Sequence, residues 1–221
     1  MLLELLSNPR AFFGTISNKE PSLKIPGLIL LVMAVVGSIT GYMMGELSGK
    51  LFSGLMEGLA TIASVSAAIS TFIATFLIWL IAAVILFGLQ KVMQGTGTFK
   101  RVFEICGYGM VPLVFATVIS LILAGYYIPQ ADINPIKTTN PEEISKAAMS
   151  MMLDPALHEF SIISTFVTVI FLIWVASIWS IGIETCCGLS TKKALIVAGL
   201  PIALYIAYSL SSLFLFTGGS A

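Results

Sequence analysis

Apolar residues in this chain do not alternate with polar ones; they run unbroken for whole helix lengths. No charged residue occurs over 61–90 or over 160–183, and further uncharged runs follow Lys24, Gly107 and Ala194. Short charged connections separate these runs. A helix needs about 20 apolar residues to cross the hydrocarbon of a bilayer. The pattern therefore predicts an all-α fold, a polytopic membrane bundle of five transmembrane helices with an N-terminal interfacial helix. The crossings fall at about 25–44, 62–89, 109–128, 157–183 and 195–216. Residues 1–20 form the interfacial segment, 21–221 the transmembrane domain, and 129–156 an outer loop.

Local signals place the ends of these elements. Asn8-Pro9 reads as a helix start, with Asn capping and Pro in the first turn. Phe12, Phe13 and Ile16 then lie close to one face, with Arg10 and Lys19 beside it. Such a helix lies on the membrane or packs against the bundle. Crossing one ends in a ladder of Gly37, Gly41, Gly45 and Gly49, four residues apart and so on one helix face. Bare backbone of this kind lets a second helix approach closely, within the chain or across a homo-oligomer seam. Asn140-Pro141-Glu142-Glu143 is a capping box that predicts a short helix to about residue 152. Asp154-Pro155 repeats the start signal ahead of crossing four.

Charge adds sidedness. Five crossings put the two ends in different compartments. One face then collects eight cations, Arg10, Lys19, Lys24, Lys91, Lys100, Arg101, Lys192 and Lys193, and the other three, Lys50, Lys137 and Lys146. Lys and Arg accumulate on the cytoplasmic side. The expectation is a cell-membrane protein with its N-terminus cytoplasmic and its C-terminus extracellular. Lys100, Arg101, Lys192 and Lys193 are the candidates for anionic headgroups of membrane lipids, or for a protein partner, on that side. The formal net charge is zero, which gives no reason to expect a nucleic-acid partner. Met1-Leu2-Leu3-Glu4 puts no basic residue ahead of the apolar stretch, so a retained N-terminus is expected rather than a cleaved signal.

An internal echo suggests a second site. Phe76-Leu77-Ile78-Trp79 in crossing two recurs as Phe171-Leu172-Ile173-Trp174 in crossing four. Each crossing descends to a glycine-containing cationic loop, and each next crossing carries glycine then proline: Gly107, Gly109 and Pro112, then Gly199 and Pro201. Two hairpins of like orientation would relate by an axis along the membrane normal, and paired Gly/Pro interruptions are a pointer to transporter sites. A solute site between the hairpins would be built from Glu104, Gly107, Tyr108, Pro112, Glu184, Gly199 and Pro201. The plainer reading pairs Glu104 and Glu184 with Lys100, Arg101, Lys192 or Lys193.

Catalytic chemistry finds little support. His158 is the single histidine, at a helix end, and no HExxH, GxSxG, Walker loop or paired-cysteine zinc spacing occurs. Cys106, Cys186 and Cys187 are odd in number and too few for a disulfide framework, and all three fall near the face expected to be cytoplasmic, where thiols stay reduced. No catalytic residue, metal or cofactor is expected, and no crossing carries the mid-membrane charge usual in an ion-coupled pump.

Gly97-Thr98-Phe99-Lys100-Arg101 through Glu104-Ile105-Cys106-Gly107-Tyr108-Gly109-Met110-Val111-Pro112 resembles the Yip-one domain family of Rab/Ypt-interacting multi-pass membrane proteins. The opening Asn8-Pro9-Arg10-Ala11-Phe12-Phe13 is similar to its prokaryotic branch. Eukaryotic members carry Asp-Leu-Tyr-Gly-Pro before the first crossing, where this chain has Lys19-Glu20-Pro21-Ser22-Leu23-Lys24. The resemblance implies five crossings, an inside N-terminus and a membrane-organising or adaptor role without catalysis. A small passive transporter or channel, using the site between the hairpins, is the alternative.

Overall fold

The structure is a computed structural model that describes residues 2–54, 58–136 and 140–217. Lys137, one of the three cations expected on the outer face, lies outside the described residues, as does the tail from 218 onward. The described residues form helices and no strand: α1 (Leu2–Ser7), α2 (Pro9–Ser17), α3 (Lys24–Leu51), α4 (Leu59–Val92), α5 (Phe99–Gly109), α6 (Val111–Tyr127), α7 (Pro141–Met152), α8 (Pro155–Cys187) and α9 (Thr191–Thr217). Five helical spans are long and apolar enough to cross a membrane: Lys24–Leu51, Leu59–Val92, Phe99–Gln130, Pro155–Cys187 and Thr191–Leu213. Their outward faces are apolar. Ile62, Ile69, Leu77 and Ile81 on α4 are each exposed, a surface suited to lipid and costly in water.

The caps follow the local chemistry. The Asn8 side chain accepts the Ala11 N–H at 3.2 Å, and Pro9 opens α2. Asp154 accepts the N–H groups of Ala156 and Leu157 at 3.0 and 3.1 Å, which starts α8. Asn140 accepts the Glu142 N–H at 3.0 Å at the head of α7.

The chain packs as two compact units. The first takes Met1–Met33, Thr75–Phe115 and Val169–Tyr208. Its core joins Leu5, Phe12 and Phe13 from the N-terminal helices to Leu30, Leu86, Ile105, Val175, Ile178 and Ile183. Phe12 and Phe13 are 1% and 0% exposed. Of the two settings open to the N-terminal helices, their apolar face takes the protein one.

The second unit takes Ala34–Ala74, Ala116–Thr168 and Ser209–Ala221. Here the glycine ladder does its packing. A Cβ on Gly45 would lie 2.5 Å from the Ala63 carbonyl, and one on Gly41 2.5 Å from the Thr71 hydroxyl. Gly49 is met as closely by Ala60, whereas Gly37 has room. This seam within the chain accompanies α3 on to Leu51, about two turns past the crossing expected to end near residue 44. A smaller core of Leu47, Ala124, Ile128 and Leu157 lies beside it. The Ile136 N–H donates to the Leu51 carbonyl at 2.8 Å.

Candidate functional site

The first unit holds the glycine–tyrosine–glycine segment and every cation of the expected inner face. Its centre is α5, an 11-residue amphipathic helix started by Thr98, whose hydroxyl accepts the Arg101 N–H at 3.3 Å. Arg101 and Glu104 stand one turn apart and form an ion pair, with side chains only 9% and 4% exposed. The guanidinium also donates to the Lys19 carbonyl. Glu104 accepts the Ser22 N–H at 3.1 Å. The pair thus pins the linker between α2 and α3 onto α5. Arg101, read from the sequence as a headgroup cation, is spent on this buried network. A buried charge persists only where its partner and its hydrogen bonds are supplied.

Two tryptophans dock on the same short helix. Trp79 of α4 donates its indole N–H to the Phe103 carbonyl at 3.0 Å, and Trp179 of α8 donates to the Cys106 carbonyl at 2.9 Å. The glycines make this approach feasible. A Cβ on Gly107 would lie 2.6 Å from Pro26 and 3.1 Å from the Trp79 indole; one on Gly109 would run into the Trp179 indole. Tyr108 between them is buried, its ring edge-on to Phe12 at 4.9 Å. Helix α5 ends at Met110, whose N–H turns back to the Gly107 carbonyl. Pro112, also buried, has no N–H to return to Tyr108.

The sequence echo aligned Trp79 with Trp174. Trp174 is 38% exposed, and Trp179 makes the matching indole-to-carbonyl bond. The glycine–proline pairs also differ. Gly107, Gly109 and Pro112 flank a helix break, whereas Pro201 sits inside α9, and a Cβ on Gly199 would meet nothing within 4 Å. Within the residues of the expected solute site, Glu104, Gly107 and Tyr108 come together in packed protein, each against a named neighbour. Glu184 has its own partners: it pairs with Arg10 at 2.9 Å and accepts the Thr191 hydroxyl at 2.9 Å.

The two cationic loops close on each other, which the sequence did not foretell. Thr96 of the first loop gives its N–H and hydroxyl to the Cys187 carbonyl, at 2.9 and 3.2 Å, capping the end of α8. In return the Lys193 ammonium donates to the Met93 carbonyl at the end of α4, at 3.0 Å. Gly188 turns the second loop with φ +67°, while the first turns on Gln94 at φ +68°. Gln90, fully buried, donates its amide to the Gly97 carbonyl at 3.0 Å. The signal available beforehand was only that both loops carry hydroxyls and lysines.

These bonds sort the eight cations. Arg10 and Arg101 are ion-paired, and Lys91 and Lys193 hold backbone carbonyls. Among the described residues, Lys19, Lys24, Lys100 and Lys192 are exposed and form no ion pair. Lys100 and Lys192 were singled out from the sequence, and Lys19 and Lys24 join them.

The family model for the Yip1 domain matches residues 3–213. The chain is 34% identical over 125 residues to an uncharacterized protein of Methanocaldococcus jannaschii, a match covering 57% of this chain and 89% of that protein. No solved structure matches the chain.

Proposed function

The chain belongs to the Yip1 domain family, and from that premise we propose that it is a non-enzymatic membrane-organising or adaptor protein of the cell membrane. The working surface is the basic face of the first unit, set at the cytoplasmic headgroups. The observation that carries this reading is the division of the cations. Arg10 and Arg101 are ion-paired and Lys193 is turned to a carbonyl, whereas Lys19, Lys24, Lys100 and Lys192 are exposed with neither bond, and exposed Lys91 gives only one donor to the Gly95 carbonyl. Each lysine near an anionic leaflet contributes roughly 1 kcal/mol, so the four together favour anionic lipid by roughly 4 kcal/mol. The N-terminus is then cytoplasmic and the C-terminus extracellular. A protein partner would meet the same basic face.

Co-retained lipid tests the reading. Wild type and K19Q/K24Q/K100Q/K192Q are placed in nanodiscs of mixed phosphatidylglycerol and phosphatidylcholine, extracted gently and weighed intact. The wild type should keep phosphatidylglycerol in excess and the variant should lose most of that excess. Equal retention by the two proteins would contradict it.

A further inference from the structure

We propose that an aromatic ladder between α4 and α5 seats one anionic phospholipid of the inner leaflet. Its acyl chain would lie along Phe99 and Phe87 and its phosphate against Lys91 and Lys100. This deepens the function proposed above and rests on its premise that the basic face meets lipid headgroups.

The ladder is continuous. Buried Trp79 stacks on Phe103 with ring centres 3.9 Å apart and planes 21° apart. Phe103 stacks on Phe99 at 5.7 Å and 17°. Phe99 then meets Phe87 edge-on at 5.5 Å. The Lys91 ammonium lies 5.5 Å from the Phe87 ring centre, which ends the series in a cation–π contact. Exposure rises along it, from 6% at Trp79 to 37% at Phe99. The inner rungs are fixed by the protein, and Phe99 offers its ring outward. Trp79 is itself held by its bond to the Phe103 carbonyl, so the inner end of the ladder is built by the protein alone. A preorganised face binds at a lower ordering cost than a mobile one.

Charge selects the occupant. The charged residues over 91–104 are Lys91, Lys100, Arg101 and Glu104. Arg101 and Glu104 neutralise each other inside the protein, which leaves Lys91, over the last ring, and Lys100, next in the chain to Phe99, without a carboxylate partner. The Lys91 ammonium gives one donor to the Gly95 carbonyl at 3.3 Å and, with three N–H groups, keeps others for a phosphate. Lys100 follows Phe99 directly and is exposed. An apolar track with one ammonium over its last ring and an exposed lysine following Phe99 in the chain matches a lipid with an apolar chain and a net negative headgroup. A zwitterionic lipid offers the chain without the net charge.

The full-length protein in bilayers, with phospholipids bearing a photoreactive acyl chain, provides the test. After illumination, labelled peptides are mapped by mass spectrometry. The phosphatidylglycerol probe should label residues 87–103 several-fold more than the phosphatidylcholine probe. K91Q/K100Q should bring the two probes level there, and F99A should lower labelling by the first. Thermal melts that match wild type establish that K91Q/K100Q is folded. Equal labelling by both probes in the wild type would overturn the proposal, as would an excess that persists in K91Q/K100Q. Labelling of 87–103 by neither probe, as when a second copy or another protein covers the ladder, would overturn it too. K19Q/K24Q/K192Q separates this seat from the wider basic face. It should lower total phosphatidylglycerol retention and leave the excess at 87–103 intact. Unchanged total retention with that excess intact would sink the wider reading alone.

Discussion

Glu104 is a carboxylate that sits almost wholly out of water with an arginine one turn before it. Removing either partner strands the other, a loss of about 3–5 kcal/mol for a buried pair. R101A and E104A should each sharply lower the melting temperature in detergent. The double variant should be much less destabilised than the two single losses summed, because no unpaired charge remains. Additive losses would show that the two side chains act separately. Glycine gives a second residue-scale contrast. G109A would drive a methyl into the Trp179 indole and should cost about 1–3 kcal/mol, whereas G199A has open space and should be close to neutral in the same melt. The Arg101–Glu104 pairing was legible as one of the alternatives for Glu104, because i,i+3 spacing puts both on one helix face. The roles of Lys19 and Ser22 were not, since their backbone groups carry no sequence signal.

Three helix starts were readable from local chemistry. Asn8, Asn140 and Asp154 each accept backbone N–H groups within three residues, so a few neighbouring letters determine them; Thr98 does the same for α5 and was not singled out. Crossed loop caps are different: Thr96 and Cys187 are 91 residues apart, and only tertiary packing brings them together. The same limit explains the misregistered echo. Four repeated letters located a tryptophan in α8 but could not tell which one reaches α5. The glycine ladder left the choice between seams open, and the fold spends its lower rungs on α4. G45A should therefore destabilise the protein markedly and G41A somewhat less, while G37A, with its nearest neighbour 3.5 Å from the added Cβ, should be tolerated. An unfolding titration in mixed detergent measures these losses. Equal losses at all three positions would mean that the ladder has a different partner.

At the scale of the molecule, the five uncharged runs are the five spans. The eight cations expected on one face all fall in the first unit, while Lys50 and Lys146 fall in the second. The sequence could count these charges but not sort them, because whether a lysine is free depends on carbonyls and carboxylates that only the fold positions. Sidedness decides whether the free lysines meet the cytoplasmic leaflet, and so it underlies the whole functional reading. Labelling with a membrane-impermeant amine reagent, applied to sealed vesicles of each orientation and read by peptide mapping, measures it directly. Lys19, Lys24, Lys100 and Lys192 should react in inside-out vesicles and stay protected in right-side-out ones. Reaction of the four in right-side-out vesicles would contradict the account.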